Sequence, residues 1–493
     1  MQVTPPIGLA YLYAVLRQSR IEVRAIDAIG EKVDQLIEAD GYLIQGLTID
    51  EIAKRIDPQT TIIGVTCMFT QDWPWSRRLI HALRGYFPDA LIVAGGEHIT
   101  ALPEFSLRDA PGLDLCVLGE GEETIIEVVR AAGEREKLHA VRGIGFLEDG
   151  VYRQTAPRQR IRKIEEIPRP AWDAFPMETY LSTHNAHGVH RGRTMAILST
   201  RGCPYQCTFC SNPVMYGTLW FARQPDDVLD EIQHYLDTYR AENIDFYDLT
   251  MILKKDWIIQ FCRRIEERGM RFTWQLPTGT RSEVIDDDVS AALYRTGCRN
   301  VTYAPESGSP ETLKKIKKRV HLGRLATSIR SALRHGINVK VNILLGFPDD
   351  TRKSFLQSVL FGWKLALIGV HDGAFFRFSP YPGTELFDEL RAEGRIPALD
   401  DNYFRSLVAL MDPLAVSDYC RNVRGREVAL WTLVGMSTFF TLSFLVRPWR
   451  LVRLARNVIK DESDTVLAQR LGALMRRPER RRMVAVTDGA DGA

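Results

Sequence analysis

Net charge is almost absent from this chain of 493 residues: 64 Lys and Arg stand against 62 Asp and Glu, leaving +2. Without a basic surplus to neutralise phosphates, no nucleic-acid partner is expected. Cysteine is scarce, 8 residues in all, and five of them (Cys67, Cys116, Cys262, Cys298, Cys420) are scattered. With no secretory signal recognisable, a disulfide framework is not expected and the compartment reads as cytoplasmic. No His/Asp constellation of the kind used in acid–base catalysis stands out. What remains is ordinary globular composition, 45% hydrophobic and 26% charged, in a chain long enough for two or three cores.

The other three cysteines are not scattered. Cys203, Cys207 and Cys210 fall in the run Ser199-Thr-Arg-Gly-Cys-Pro-Tyr-Gln-Cys-Thr-Phe-Cys-Ser211, with spacing C-x3-C-x2-C. Chance would place this spacing in such a chain roughly 0.002 times. A structural zinc site wants four closed ligands, and no further Cys or His follows at finger-like spacing. Three thiolates on one short loop suit three irons of a [4Fe-4S] cube and leave the fourth open to a ligand such as an amino acid. With Phe209 directly before the last cysteine, the stretch resembles the signature of the radical S-adenosylmethionine (SAM) superfamily. The resemblance implies that SAM chelates the open iron and is cleaved to methionine and a 5′-deoxyadenosyl radical by an electron from an external reductant of flavodoxin or ferredoxin type.

Residues 1–135 alternate helix and strand. Gly8 to Arg17 predicts a helix, Glu22 to Ile26 a strand, Thr61 to Cys67 and Ala90 to Gly96 two strands around a helix from Ser76 to Tyr86, and Leu113 to Leu118 a fourth strand. Such alternation predicts a doubly wound parallel sheet, with ligands beyond the strands' carboxyl ends, where Thr66, Gly95, Gly96, Gly119 and Gly121 fall. Taken singly, these glycines could be turn-formers. Together Pro5-Pro-Ile-Gly-Leu-Ala-Tyr-Leu12, Gly95-Gly-Glu-His-Ile-Thr-Ala-Leu-Pro103 and Leu118-Gly-Glu-Gly-Glu-Glu-Thr124 resemble the cobalamin-binding domain that precedes many radical SAM cores. This implies a corrinoid on the sheet edge, held by those five residues. The family's Asp-x-His-x-x-Gly motif, which supplies a lower axial histidine, is missing, and His98 lies in the wrong motif to replace it. Only Met1 to Thr4 precede the Pro-Pro turn, where the family places a strand, so either the start is misplaced or another segment fills that position.

Residues 136–190, with prolines at 157, 168, 170 and 176, read as a linker with some short strands. From 191 to 395 strand and helix alternate again, with strands at Met195 to Ser199, Ile244 to Leu249, Phe272 to Gln275, Asn300 to Ala304, Val339 to Leu345 and Gly373 to Phe378. Six βα units predict an open (β/α)6 barrel whose chemistry lies at the strands' carboxyl ends. The resemblance assigns Glu306 and Ser307 to the ribose of SAM, Gly346 to the region packing on adenine, and Asp248 to a strand end touching the methionine moiety. Ser309 alone could equally be a helix N-cap.

Past residue 396 helix dominates. Val428 to Val446 carries no charge over 19 residues, enough to just span a bilayer, yet its Thr, Ser and Gly also suit a buried core helix. Arginines flank both ends, among them Arg421, Arg424, Arg447, Arg450 and Arg453, which argues against one simple crossing and for a monotopic or re-entrant anchor on the cytoplasmic face. Pro478 to Ala493 reads as a disordered end. The leading expectation is a cobalamin-dependent radical SAM C-methyltransferase acting on an apolar substrate. The alternatives are an oxidative cyclase of tetrapyrrole or lipid-like substrates, as in the anaerobic magnesium-protoporphyrin ester cyclase group, and a non-catalytic corrinoid or redox sensor.

Overall fold

The structure, a computed structural model, describes residues 3–39, 42–183, 186–281, 284–410, 418–460, 463–475 and 482–485. It is α/β, with a Rossmann-like sheet, an open barrel and a helical C-terminal region. Strands β1 (Gln35–Ala39) and β2 (Tyr42–Gln45) pair antiparallel, apart from the main sheets. Next come β3 (Ile62–Thr66), β4 (Leu91–Gly95) and β5 (Leu115–Val117), parallel and adjacent in chain order. β-Branched apolar side chains form these strands, and the helix Trp73–Tyr86, with proline in its first turn, covers them through Ile80 and Leu83.

Two expectations change here. Glu22 to Ile26 forms no strand and joins no sheet, because no described strand lies beside it, and Glu22 and Arg24 are exposed. Within the expected linker, β6 (Ile144–Glu148) and β7 (Val151–Gln154) form a hairpin that pairs antiparallel with β5 and extends the first sheet to five strands. The tight turn is made by Asp149 and Gly150, both with positive φ.

The second unit contains β8 (Thr194–Ile197), a two-stranded ribbon of β9 (Thr200–Arg201) and β10 (Phe221–Ala222), then β11 (Asn243–Phe246), β12 (Thr273–Thr280), β13 (Cys298–Glu306), β14 (Asn338–Leu345) and β15 (Asp372–Arg377). Leaving the ribbon aside, the other six pair in parallel in the order β8-β11-β12-β13-β14-β15, an open six-stranded barrel. Period-two alternation decides which side chains go where. On β14, Val339, Val341, Ile343 and Leu345 are buried with the helices outside, so Lys340, Asn342 and Leu344 face the lumen.

The uncharged run forms the helix Gly425–Val446, and one stripe of it, Val428, Thr432, Gly435, Phe439 and Ser443, is buried. That stripe packs over β15 and the helix Arg352–Ile368, with Gly435 against Phe375 and Phe439 against Gly373. The helix therefore covers the barrel wall instead of standing free, while its other face, including Leu430, Leu433 and Val434, remains exposed. Of residues 478–493, Arg482–Ala485 are described and form β16, a strand parallel to β1 instead of the disordered end expected; the others lie outside the described residues.

Candidate functional site

Cys203, Cys207 and Cys210 occupy the loop between β9 and β10, beyond the carboxyl end of β8. Gly202 turns the chain into this loop at φ +87°, and a Cβ there would lie 2.1 Å from the Leu219 carbonyl oxygen, so only glycine fits. The loop is tied down by backbone bonds, Thr208 N to Ile316 O at 3.1 Å and Leu386 N to Thr208 O at 3.0 Å. Asn212 Nδ2 donates to Cys203 O at 3.2 Å, and Thr250 Oγ1 donates to Cys203 Sγ at 3.4 Å.

All three cysteines are half-buried and free of disulfides. Burial first, and the neighbouring thiols second, push Cys210 up to about 12; burial likewise raises Cys207. Binding of metal to thiols so raised would have to displace their protons. Among the described residues no three His, Cys, Asp or Glu side chains converge on a single ion position.

What holds this loop against the first sheet was not visible in the sequence. Arg201, two residues before Cys203, is buried and ion-paired to Glu120 at 3.2 Å and Glu122 at 2.6 Å. Its guanidinium also lies over the Tyr11 ring, 5.1 Å from the centroid. Burial alone would weaken the charge of Arg201, yet Glu122 and the nearby tyrosines hold its proton above the ordinary arginine value. Glu120 accepts further bonds from Arg160 Nε at 2.7 Å and Ile161 N at 3.0 Å. On the far side of the loop Ser211 Oγ donates to Glu97. Each of the three N-terminal motifs thus sends a side chain, Tyr11, Glu97 or Glu120 with Glu122, to the cysteine loop. The acidic pair inside Gly-Glu-Gly-Glu and the single Glu97 of Gly-Gly-Glu-His were the available signal.

The turns themselves are built for close approach. Gly96 has φ +120°, and a Cβ there would meet the Cys67 carbonyl at 2.6 Å. Gly119 has φ +71° and donates its N–H to Thr100 Oγ1 at 3.0 Å; its nearest neighbour on the open side is Met215 O, next to the cysteine loop. Gly121 packs on Leu12 and Val117. Thr66, Met68 and Phe69 are exposed at the end of β3, and no atom lies within 4 Å of where a Cβ on Gly64 would stand. His98 does not fit as a lower cobalt ligand. It is fully buried, stacked on Trp73 at 4.6 Å, and its two ring nitrogens face Thr70 Oγ1 and Ser106 Oγ at 3.3 Å each.

The residues expected around SAM divide into two groups. Glu306 ends β13 in the left-handed region at φ +67° and accepts from Lys318 Nζ at 2.8 Å. Phe209 lies between the Lys318 ammonium, 5.8 Å from its centroid, and the Phe347 ring at 5.5 Å. A non-glycine carboxylate held at positive φ and paired to a half-buried lysine beside Cys207 is the arrangement expected of a ligand-facing group. The other three make protein contacts. Asp248 accepts from Ser199 Oγ at 2.8 Å, Thr200 Oγ1 at 2.5 Å and Ser199 N at 3.1 Å, fastening the approach to the cysteines. Ser307 Oγ meets Ser358 Oγ at 3.1 Å and accepts from Ser309 N. Gly346 donates to Asp350 Oδ2 at 3.1 Å, and a Cβ on it would strike Val428 of the C-terminal helix at 2.8 Å. Ser309 is the N-cap of the helix Pro310–Lys315, accepting from Thr312 N.

Comparison with known proteins agrees with this geometry. Residues 2–129 match the model of the B12 binding domain, and residues 197–362 that of the Radical SAM superfamily. A protein named as an uncharacterized methyltransferase of Pyrococcus horikoshii is 31% identical over 385 residues, 78% of each chain. The cytidylyl-2-hydroxyethylphosphonate methyltransferase of Streptomyces wedmorensis is 26% identical over 431 residues, 81% of this chain and 80% of that one. Among solved structures, the radical S-adenosylmethionine methyltransferase TsrM of Kitasatospora setae, with cobalamin and a [4Fe-4S] cluster bound, superposes with a TM-score of 0.63 at 19% identity, covering 80% of this chain and 76% of that one.

Proposed function

We propose, because this chain belongs to the B12-binding radical SAM family, that it transfers a methyl group to an unactivated carbon of an apolar substrate. It is an enzyme of the cobalamin-dependent radical SAM methyltransferase family, and its cofactors are a [4Fe-4S] cluster, SAM and cobalamin. When bound, these supply a 5′-deoxyadenosyl radical from SAM and a methyl group carried on cobalt. The protein's part is to hold, orient and shield.

Cys203, Cys207 and Cys210 hold the cluster. Glu306, kept in place by Lys318, takes the ribose hydroxyls, and Phe209 and Gly346 border the adenine side. Asp248 and Ser307 act through the backbone they fasten, Asp248 on Ser199 and Thr200, Ser307 on Ser309. Thr66, Gly95, Gly96, Gly119 and Gly121 form the corrinoid edge. The observation that carries this reading is the anchoring of the cysteine loop by Glu97, Glu120 and Glu122, residues of the corrinoid-side turns. That anchoring supports a reading in which the two cofactor edges face one another, as methyl delivery to a substrate radical requires. The apolar outer face of the C-terminal helices supports an apolar substrate. A one-electron reductant of flavodoxin or ferredoxin type completes the system, in the cytoplasm and at the cytoplasmic face of the membrane.

The test is anaerobic reconstitution with iron, sulfide and hydroxocobalamin, followed by SAM and a reductant. Wild type is expected to form 5′-deoxyadenosine and Cys203→Ala none. Absence from both would refute the catalytic reading in favour of a corrinoid or redox sensor. Product carrying label from methyl-labelled SAM supports methylation; unlabelled product would point to oxidative cyclisation, which uses the same cofactors.

A further inference from the structure

At the end of the barrel wall remote from the cysteine loop, the helices Leu322–Arg334 and Arg352–Ile368 and the start of the helix Trp449–Lys460 enclose an open groove of about 610 Å³. Arg330, Arg334, Arg447, Arg450 and Arg453 line it; Arg334 is paired with Asp287 and Arg453 with Asp464, which leaves Arg330, Arg447 and Arg450 as its cationic lining. Arg447 donates to the carbonyl oxygens of Ala366 and Leu367, at 3.2 and 3.0 Å, and Arg450 to those of Val370 and Gly369, at 2.8 and 2.6 Å. These bonds fix the guanidinium planes without neutralising them: among the described residues none of the three arginines has a carboxylate within salt-bridge distance. Burial, then the charges of Arg447 and Arg453, lower Arg450 to about 10, and the more distant carboxylates of Asp372 and Asp464 offset this only in part.

Next to this groove the surface is apolar. Leu445 is 74% exposed, Trp449 62%, Val452 71% and Ile459 80%. Val452 and Ile459 are seven residues apart on one helix and share its outer face. Leu430 continues the patch along the helix Gly425–Val446, and Leu360 along its neighbour Arg352–Ile368. Because the opposite face of Gly425–Val446 is packed on β15, this helix cannot leave the barrel to cross a bilayer. It can only present its outer side.

We infer that this flank is a docking surface for an anionic phospholipid bilayer, with a lipid phosphate seated in the arginine groove beside Arg330, Arg447 and Arg450. An apolar strip bordered by guanidinium groups matches acyl chains bordered by phosphates. A second copy of the chain fits less well, since a two-fold contact through the strip would bring a second set of arginines to the same junction. The inference deepens the membrane-face reading above but needs no SAM cleavage, so either can fail without the other.

The experiment is flotation of the reconstituted full-length protein with phosphatidylglycerol-containing vesicles and with pure phosphatidylcholine vesicles. Binding to the former alone is expected. Arg330→Glu should weaken it about thirtyfold, the effect of changing charge by two units at the surface. Val452→Ser with Ile459→Ser should abolish it while cobalamin content and near-ultraviolet dichroism stay unchanged. Equal binding to both vesicle types, or to neither, would overturn the inference. So would a stable dimer that Ile459→Ser dissociates in the absence of vesicle binding. Release from vesicles by millimolar inorganic phosphate at constant ionic strength would assign the groove to a free anion and equally overturn it.

Discussion

Arg201 is where the two cofactor-bearing units are joined. Its guanidinium is buried between Glu120 and Glu122, so removing it leaves the buried Glu122 carboxylate without its cation, while Glu120 keeps Arg160. Breaking a buried ion pair from one side costs about 3–5 kcal/mol. Arg201→Met is expected to lose that much in urea unfolding, and adding Glu122→Gln should recover part of it, a coupling that a double-mutant cycle measures. His98 makes a prediction about pH. Burial lowers it from 6.5 to about 3, so the unfolded chain binds a proton there that the folded chain does not. Its contribution to stability is complete above pH 6.5 and declines as pH falls toward 3, by about 1.4 kcal/mol per pH unit within that window. His98→Phe should remove that slope when unfolding free energies are compared between pH 7 and pH 4.5. The cysteines were legible because a ligand set on one loop is a matter of local spacing. Arg201 was not, because Glu120 lies 81 residues away and nothing in Ser-Thr-Arg-Gly names its partner.

At the level of elements, the alternation of short β-prone runs with amphipathic helices was enough to locate all six barrel strands, because each strand must turn apolar side chains to the helices that cover it even where its other face lines the lumen. The uncharged C-terminal run was ambiguous for the same reason. A core helix and a membrane span have similar composition, and only the position of β15, which needs covering, distinguishes them. The two faces of Gly425–Val446 should therefore behave differently. Phe439, 1% exposed against Gly373, is expected to cost about 3–5 kcal/mol on replacement by Ala. Leu430→Ser, on the outer face at 57% exposure, should stay within about 0.5 kcal/mol by the same urea measurement. Glu22 to Ile26 shows the opposite failure: its pattern suits a strand, but a strand exists only if another lies beside it.

For the whole molecule, the cysteine loop and the glycine turns belong to separate sheets, joined by the polar contacts of Arg201 and Ser211 and by an apolar core in which Ile63 and Ile92 cluster with Phe347 and Phe378. Cys203→Ala is accordingly expected to lose bound iron and sulfide while retaining cobalamin, as read by metal analysis and the corrinoid spectrum. Arg201→Met should impair both, because it releases one edge from the other. Local spacing was sufficient to identify the cluster loop, the succession of βα units and the resemblance that names the cofactors. Each depends on residues close in the chain, whose types and periods carry the information directly. Which edge faces which, which carboxylate binds a ligand and which fastens the backbone, and which face of an uncharged helix is buried were decided by packing. Those outcomes depend on groups tens to hundreds of residues apart, brought together only when the sheets and helices bury their apolar faces.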